Sequence, residues 1–133
     1  MRETGVSDEK RFLALLIDSP DEMKAMIEEV VVPETWFFRN DAAFHLMVKH
    51  LSGKWKRAHP NRIPRLLSIP CSTGEEPYSM AMALLDAGYK ADEFQIDAID
   101  ISSQNLNKAR KAVYGKGSVR GKHLDFRQHI LIR

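Results

Sequence analysis

The stretch Ser68-Ile69-Pro70-Cys71-Ser72-Thr73-Gly74-Glu75-Glu76-Pro77-Tyr78-Ser79 constrains the fold of this chain more than any other. An apolar run over residues 66–69 stops at Pro70, passes through small residues and meets a second proline at Pro77. That order predicts a strand, a tight loop and a helix over 77–87, the arrangement that holds a small ligand at the edge of an α/β sheet. Proline suits a first helical turn because the N–H it lacks would be unpaired there. Ser72 with Glu75, and Thr73 with Glu76, have the spacing of a capping box, so the loop is expected to be tied to the helix in one register or the other. Gly74 supplies the backbone freedom to turn close to a ligand.

Two carboxylates narrow the ligand. A loop that cradles pyrophosphate offers bare N–H groups and a positive helix end. Glu75 and Glu76 put negative charge there, which repels phosphate and suits a cation. The plainer reading is that both complement the helix dipole. Asp100 ends a second apolar run, residues 94–99, beyond the turn at Gly88-Tyr89. In Rossmann-like sheets an acid at the end of the second strand accepts the ribose hydroxyls; as an alternative, Asp100 caps the helix that starts near Ser102 or Ser103. A ribose acid beside a loop of acids suggests a nucleoside with a positively charged tail. S-adenosylmethionine, with its adenosine, sulfonium and α-ammonium, fits.

Three motifs in order carry a resemblance. The loop itself, the upstream Thr35-Trp36-Phe37-Phe38-Arg39 and the downstream Ala98-Ile99-Asp100-Ile101-Ser102 together resemble the CheR-type chemotaxis methyltransferases, over residues 33–121. The resemblance implies methyl transfer from S-adenosylmethionine to glutamate side chains of methyl-accepting chemoreceptor-type proteins. It implies cofactor contacts at Thr35, Arg39, Ser72, Gly74, Glu75 and Asp100, with Thr35 and Arg39 also around the reacting groups. On residue type alone, Trp36, Phe37 and Phe38 read as core anchors and Arg39 as a surface charge. Pro33 stands where many relatives carry Asn, so a contact made by that amide is lost.

The expected fold class is α/β: an N-terminal helical segment followed by the first half of a Rossmann-like methyltransferase sheet. Residues 1–51 form the helical region, 52–64 a basic linker, and 65–133 a partial S-adenosylmethionine-binding domain. In the first region, Met23, Met26, Ile27, Val30 and Val31 share a helical face, and Ser19 caps their helix. A helix starting at Asn40 or Asp41 turns Phe44, Met47, Val48 and Leu51 to the core. Ala81, Leu84 and Leu85, and then Leu106, Ala109 and Val113, are the inward residues of the two later helices. Lys54, Lys56, Arg57 and Arg62 make the linker basic, a solvated surface or a dock for an acidic receptor.

Composition removes several classes. A hydrophobic share of 44% and a charged share of 29% suit a globular domain, and a net charge of +2 compels neither nucleic acid nor an anionic membrane as partner. No apolar run approaches the ~20 residues of a membrane span, so no membrane insertion is expected. Cys71 is the only cysteine, which excludes an internal disulfide and makes a cytoplasmic location the expectation. No histidine near Cys71 in sequence activates it as a nucleophile, and the histidines lack metal-ligand spacing, so no metal is expected. A methyltransferase sheet has about seven strands, of which two are evident here, so the chain reads as a fragment, or as completed by a partner. The apolar stub at residues 129–133 would favour self-association. Two other classes fit part of the pattern. A non-catalytic module that binds S-adenosylmethionine or S-adenosylhomocysteine for signalling would carry the same loop. A dinucleotide-dependent dehydrogenase would need further glycines besides Gly74.

Overall fold

The computed structural model describes residues 8–120. Its elements run α1 (Glu9–Asp18), α2 (Pro20–Val30), α3 (Asp41–His50), a π-helical stretch (Leu51–Trp55), α4 (Lys56–Ala58), β1 (Arg65–Ser68), α5 (Glu75–Asp86), β2 (Gln95–Ala98), α6 (Ser103–Lys111) and a 3-10 turn (Lys116–Ser118). Two compact units part between Val32 and Pro33.

The first unit is a helix pair. Asp8 caps α1 through the amide of Lys10, and Ser19 caps α2 through the amide of Glu22, with Pro20 in the first turn as expected. Side-chain oxygens at these positions satisfy amides that a helix start leaves unpaired. The two helices pack on each other, and Leu16 is buried.

The second unit holds the sheet. β1 and β2 are parallel, with Arg65 opposite Gln95 and Ser68 opposite Ala98. Parallel strands need a crossover, and α5 provides it, packing on both. The Arg65 guanidinium bonds the Asp97 carboxylate across the strands at 2.8 Å and, with Gln95, holds that carboxyl below its usual range. Main-chain bonds carry the pairing past the last strand residues: Ile99 donates to the Ser68 carbonyl at 3.0 Å, and Cys71 to the Ile99 carbonyl at 2.8 Å. These bonds deliver the loop after β1 and the acid after β2 to the same end of the sheet. The expected α/β class, helices first and then the opening βαβ unit, is what the chain forms.

The core of this unit is built around Phe37 and Leu84, both with no exposed surface, together with Met82 and Tyr114. Burying a side chain of that size stabilises by roughly 1.5–3 kcal/mol. Phe37 meets Tyr114 edge-on at 4.8 Å, and Phe38 meets Phe44 likewise at 5.3 Å. Phe44 and Leu51 are buried as their spacing implies.

Several local expectations are corrected. Helix α5 begins at Glu75, two residues before Pro77, because Gly74 takes the left-handed conformation (φ 99°) and turns the chain into the helix itself. Neither capping box forms there. Met82 is buried in α5, whereas Leu85 is 38% exposed. In α6 the buried residue is Asn105, and Val113 lies beyond the helix end and is exposed, because Ala112 already turns left-handed. Residues 52–58 of the expected linker, 52–64, are helical. The aromatic motif lies in the second compact unit, where hydrogen bonds from Phe37 and Phe38 tie it to Ser118 and Ser79. The stub at 129–133 lies outside the described residues.

Candidate functional site

The loop between β1 and α5 is held from both sides by acids. Asp100, at the end of β2, accepts the amide of Ser72 at 2.7 Å on one carboxylate oxygen and the amide of Ser102 at 2.9 Å on the other. Ser102 itself is the cap of α6, its hydroxyl accepting the amide of Asn105 at 3.0 Å, so Asp100 is a brace between loop and helix rather than the helix cap. Glu75 is 2% exposed and accepts two hydroxyls: Thr73 at 2.6 Å on one oxygen and Ser118 at 2.7 Å on the other. Neighbouring loop residues, Ser72 and Thr73, thus bring the two acids to one place. Among the described residues no cationic side chain pairs with Glu75.

Glu76 has a different surrounding. It is exposed and accepts the hydroxyl of Ser68, a fully buried residue at the end of β1, at 2.6 Å. It ties the strand end to the helix start.

Gly74 is required twice over. Its φ of 99° is one that L-residues rarely adopt, and a methyl group there would stand 2.7 Å from the Tyr114 hydroxyl and 2.8 Å from the Ala109 Cβ. Tyr114 donates that hydroxyl to the Thr73 carbonyl at 2.8 Å. Burial, reinforced by the Glu75 charge, pushes the Tyr114 phenol well above its ordinary range, so it keeps its proton and remains a donor. Ser72 is also left-handed (φ 50°), a conformation that costs a residue with a Cβ on the order of 1–3 kcal/mol and clusters at ligand sites. Among the described residues its buried hydroxyl has no hydrogen-bond partner, and neither does the side-chain amide nitrogen of Asn105.

The aromatic motif reaches this loop through Ser79. That hydroxyl, fully buried in α5, accepts the amide of Phe38 at 3.0 Å and donates to the Glu75 carbonyl at 2.6 Å. Phe38 is left-handed (φ 54°), so the chain reverses and sets Arg39 at the surface. The Arg39 guanidinium donates to the Glu34 carbonyl at 2.7 Å and lies over the Trp36 ring, 4.7 Å from its centre. Thr35 is half-buried in the coil just ahead. Among the candidates, Asp100 bonds Ser72 directly, Gly74 and Glu75 follow in the same loop, and the segment bearing Thr35 and Arg39 is tied to the loop and its helix through the amides of Phe37 on Ser118 and Phe38 on Ser79.

Three contributors escaped the sequence reading: Ser79, Tyr114 and Ser118. Ser79 is the last residue of the loop motif, and it is not among the candidate site residues read from the sequence. Nothing local marks the other two, whose contacts with the loop span 41 and 43 residues of chain. Burial pushes the Cys71 thiol up, and the Asp100 and Glu76 charges push the same way, so the thiolate needed of a nucleophile is disfavoured. An apolar cavity of about 340 Å³ lies between α5, β2 and α6, lined by Cys71, Tyr78, Phe94, Ile96 and Leu106 among others. Neither Glu75 nor Asp100 faces it.

The donor set suits the ligand that the sequence suggested. A deeply buried carboxylate answered, among the described residues, only by hydroxyls retains lone pairs for an ammonium, and the buried Ser72 hydroxyl beside Asp100 is a further polar group without a partner among those residues. Comparison with known proteins leads to the same ligand. The profile of the CheR methyltransferase S-adenosylmethionine-binding domain matches residues 33–131. A probable biofilm formation methyltransferase WspC of Pseudomonas aeruginosa is 45% identical over 127 residues, which is 96% of this chain and 30% of the relative. Chemotaxis protein methyltransferase 2 of Vibrio cholerae is 35% identical over 77% of this chain and 36% of its own length. The chemotaxis protein methyltransferase of Escherichia coli is 34% identical over 86% of this chain and 39% of its own length. The chain thus spans about a third of the length of these relatives.

Proposed function

This chain belongs to the CheR methyltransferase family and carries S-adenosylmethionine-binding sequence of that family, and from that premise we propose that the complete protein methylates glutamate carboxylates of receptor-type signalling proteins. The observation that carries the reading is Glu75: a carboxylate 2% exposed, bonded to two hydroxyls and to no cation among the described residues. Glu75 holds the cofactor's ammonium. Asp100 has lone pairs left after its two amide bonds, and these receive the ribose hydroxyls. Ser72 and Gly74 let the backbone approach closely. Thr35 and Arg39 stand around the reacting methyl and the substrate carboxylate.

When bound, S-adenosylmethionine supplies an electrophilic methyl group on a sulfonium, open to in-line attack by a carboxylate oxygen. A glutamate with a reference pKa near 4.3 is already ionised at neutral pH, so the protein need not provide a strong base. Its residues position the groups instead. Arg39, whose guanidinium is already aligned by Trp36 and Glu34, orients the incoming carboxylate. The remaining requirement is exclusion of water from that contact.

The identity of 45% to a probable biofilm formation methyltransferase, against 34% to 37% for the chemotaxis protein methyltransferases of Klebsiella aerogenes, Salmonella typhimurium and Escherichia coli, favours a receptor-type substrate that serves biofilm formation. The test uses the full-length protein with radiolabelled S-adenosylmethionine and the cytoplasmic region of such a receptor. Label released as methanol by mild alkali marks a carboxyl ester. Label stable to alkali, or cofactor binding without turnover, overturns the reading, the latter in favour of a non-catalytic binding module. In the same protein, Asp100→Ala weakens S-adenosylhomocysteine binding by roughly 1–3 kcal/mol, the scale of hydrogen bonds involving a charged group. Calorimetry showing unchanged affinity with intact folding would remove Asp100 from the site.

A further inference from the structure

The segment that follows α6 belongs to none of the three motifs, yet it touches two of them. Ala112 ends the helix in a left-handed turn, and a 3-10 turn, Lys116–Ser118, brings the chain back. Tyr114 donates its hydroxyl to the Thr73 carbonyl at 2.8 Å. The Ser118 carbonyl accepts the amide of Phe37 at 2.8 Å, while its hydroxyl reaches Glu75 at 2.7 Å. Two residues on, the Arg120 guanidinium lies 4.8 Å from the centre of the Trp36 ring, the same indole that carries Arg39 at 4.7 Å. Arg120 is further anchored by donating to the Gly117 carbonyl at 3.2 Å.

We infer that residues 114–120 form a clasp for the methyl-transfer site, in which Ser118 positions Glu75 and Arg120 positions Trp36 and Arg39. The inference rests on the function proposed above for Glu75 and Arg39. Of the two hydroxyls on Glu75, that of Thr73 belongs to the same loop and moves with it. Ser118 comes from 43 residues away and is the contact that fixes the carboxylate against the rest of the unit. Arg120 does the corresponding work on the other side. A planar guanidinium over an indole restrains the ring, and the Trp36 ring is the surface on which Arg39 lies. Neither Arg39 nor Arg120 is paired with a carboxylate among the described residues. One aromatic ring thus carries two cations. That charge pair suits an acidic acceptor side chain or the cofactor's own carboxylate.

The test separates these contacts in the full-length protein. Ser118→Ala lowers S-adenosylhomocysteine affinity about tenfold by calorimetry, and Ser118→Thr, which keeps the hydroxyl, restores it. Arg120→Ala raises KM for the receptor several-fold with a smaller change in kcat, while S-adenosylhomocysteine affinity stays within twofold; Arg120→Lys recovers part of the loss. If Arg120→Ala instead weakens S-adenosylhomocysteine several-fold, the carboxylate served is the cofactor's, and the clasp stands. Unchanged affinity in Ser118→Ala, a loss that Ser118→Thr does not repair, or an Arg120→Ala variant normal in both KM and affinity overturns the inference. The calorimetric arm needs no turnover. A wild-type protein that binds S-adenosylhomocysteine but forms no alkali-labile ester defeats the glutamate reading while leaving the Ser118 result readable.

Discussion

At the scale of single residues, the site depends on conformations and contacts that few side chains tolerate. Gly74 combines a left-handed backbone with Tyr114 and Ala109 standing where a Cβ would go. Gly74→Ala therefore adds backbone strain on the order of 1–3 kcal/mol to an overpacking cost of similar size. The expected outcome is a clear fall in the thermal unfolding midpoint of the full-length protein, accompanied by weaker S-adenosylhomocysteine binding. An alanine variant as stable as the parent would show that the loop does not pack as described. Ser72 is left-handed as well, and its hydroxyl has no hydrogen-bond partner among the described residues. Glu75 and Glu76 are adjacent acids with different fates: one is sealed under hydroxyls, the other bonds a strand end at the surface.

At the scale of elements, α5 is the hub. Its first turn presents Glu75, its second carries Ser79, and its inner face fills the core with Met82 and Leu84. Ser79 joins the aromatic turn to the helix with two hydrogen bonds from one buried hydroxyl. Ser79→Ala removes the hydroxyl to which the part-buried Phe38 amide donates, a hydrogen bond worth about 0.5–1.5 kcal/mol. Urea unfolding of the full-length protein should show a loss of that size, and methyl transfer should fall with it as the turn bearing Arg39 loosens. Ser79→Ala with full stability and full turnover would mean that the turn is held by packing alone. The π-helical stretch between α3 and α4 takes part in neither bond.

At the scale of the whole molecule, the described sheet has two strands and hence two open edges. Leu67, Ile69, Ile99 and Ile101 are each at least half exposed at or near the ends of those strands. Unpaired strand edges with apolar neighbours recruit other chains. The isolated 133-residue chain is therefore expected to self-associate in light scattering and to transfer no methyl group, whereas a stable, active monomer would refute this. Much of the architecture was legible in the residues: the strand run stopping at Pro70, the acid after the second run, the cap at Ser19, and the motif order that identifies the family. Such features are local, because caps, turns and apolar periods act within a few residues of themselves. The start of α5 was misplaced for a local reason as well, since Gly74 in its left-handed conformation outcompeted the proline signal. What only the tertiary structure decided is who serves the acids. Tyr114 and Ser118 meet the loop across 41 and 43 residues of chain, Arg120 finds Trp36 from still farther, and Asp100 turns out to brace Ser72. Hydrogen bonds and stacking of that reach leave no periodic trace in a sequence; they exist only once the sheet and its crossover helix have brought the segments together.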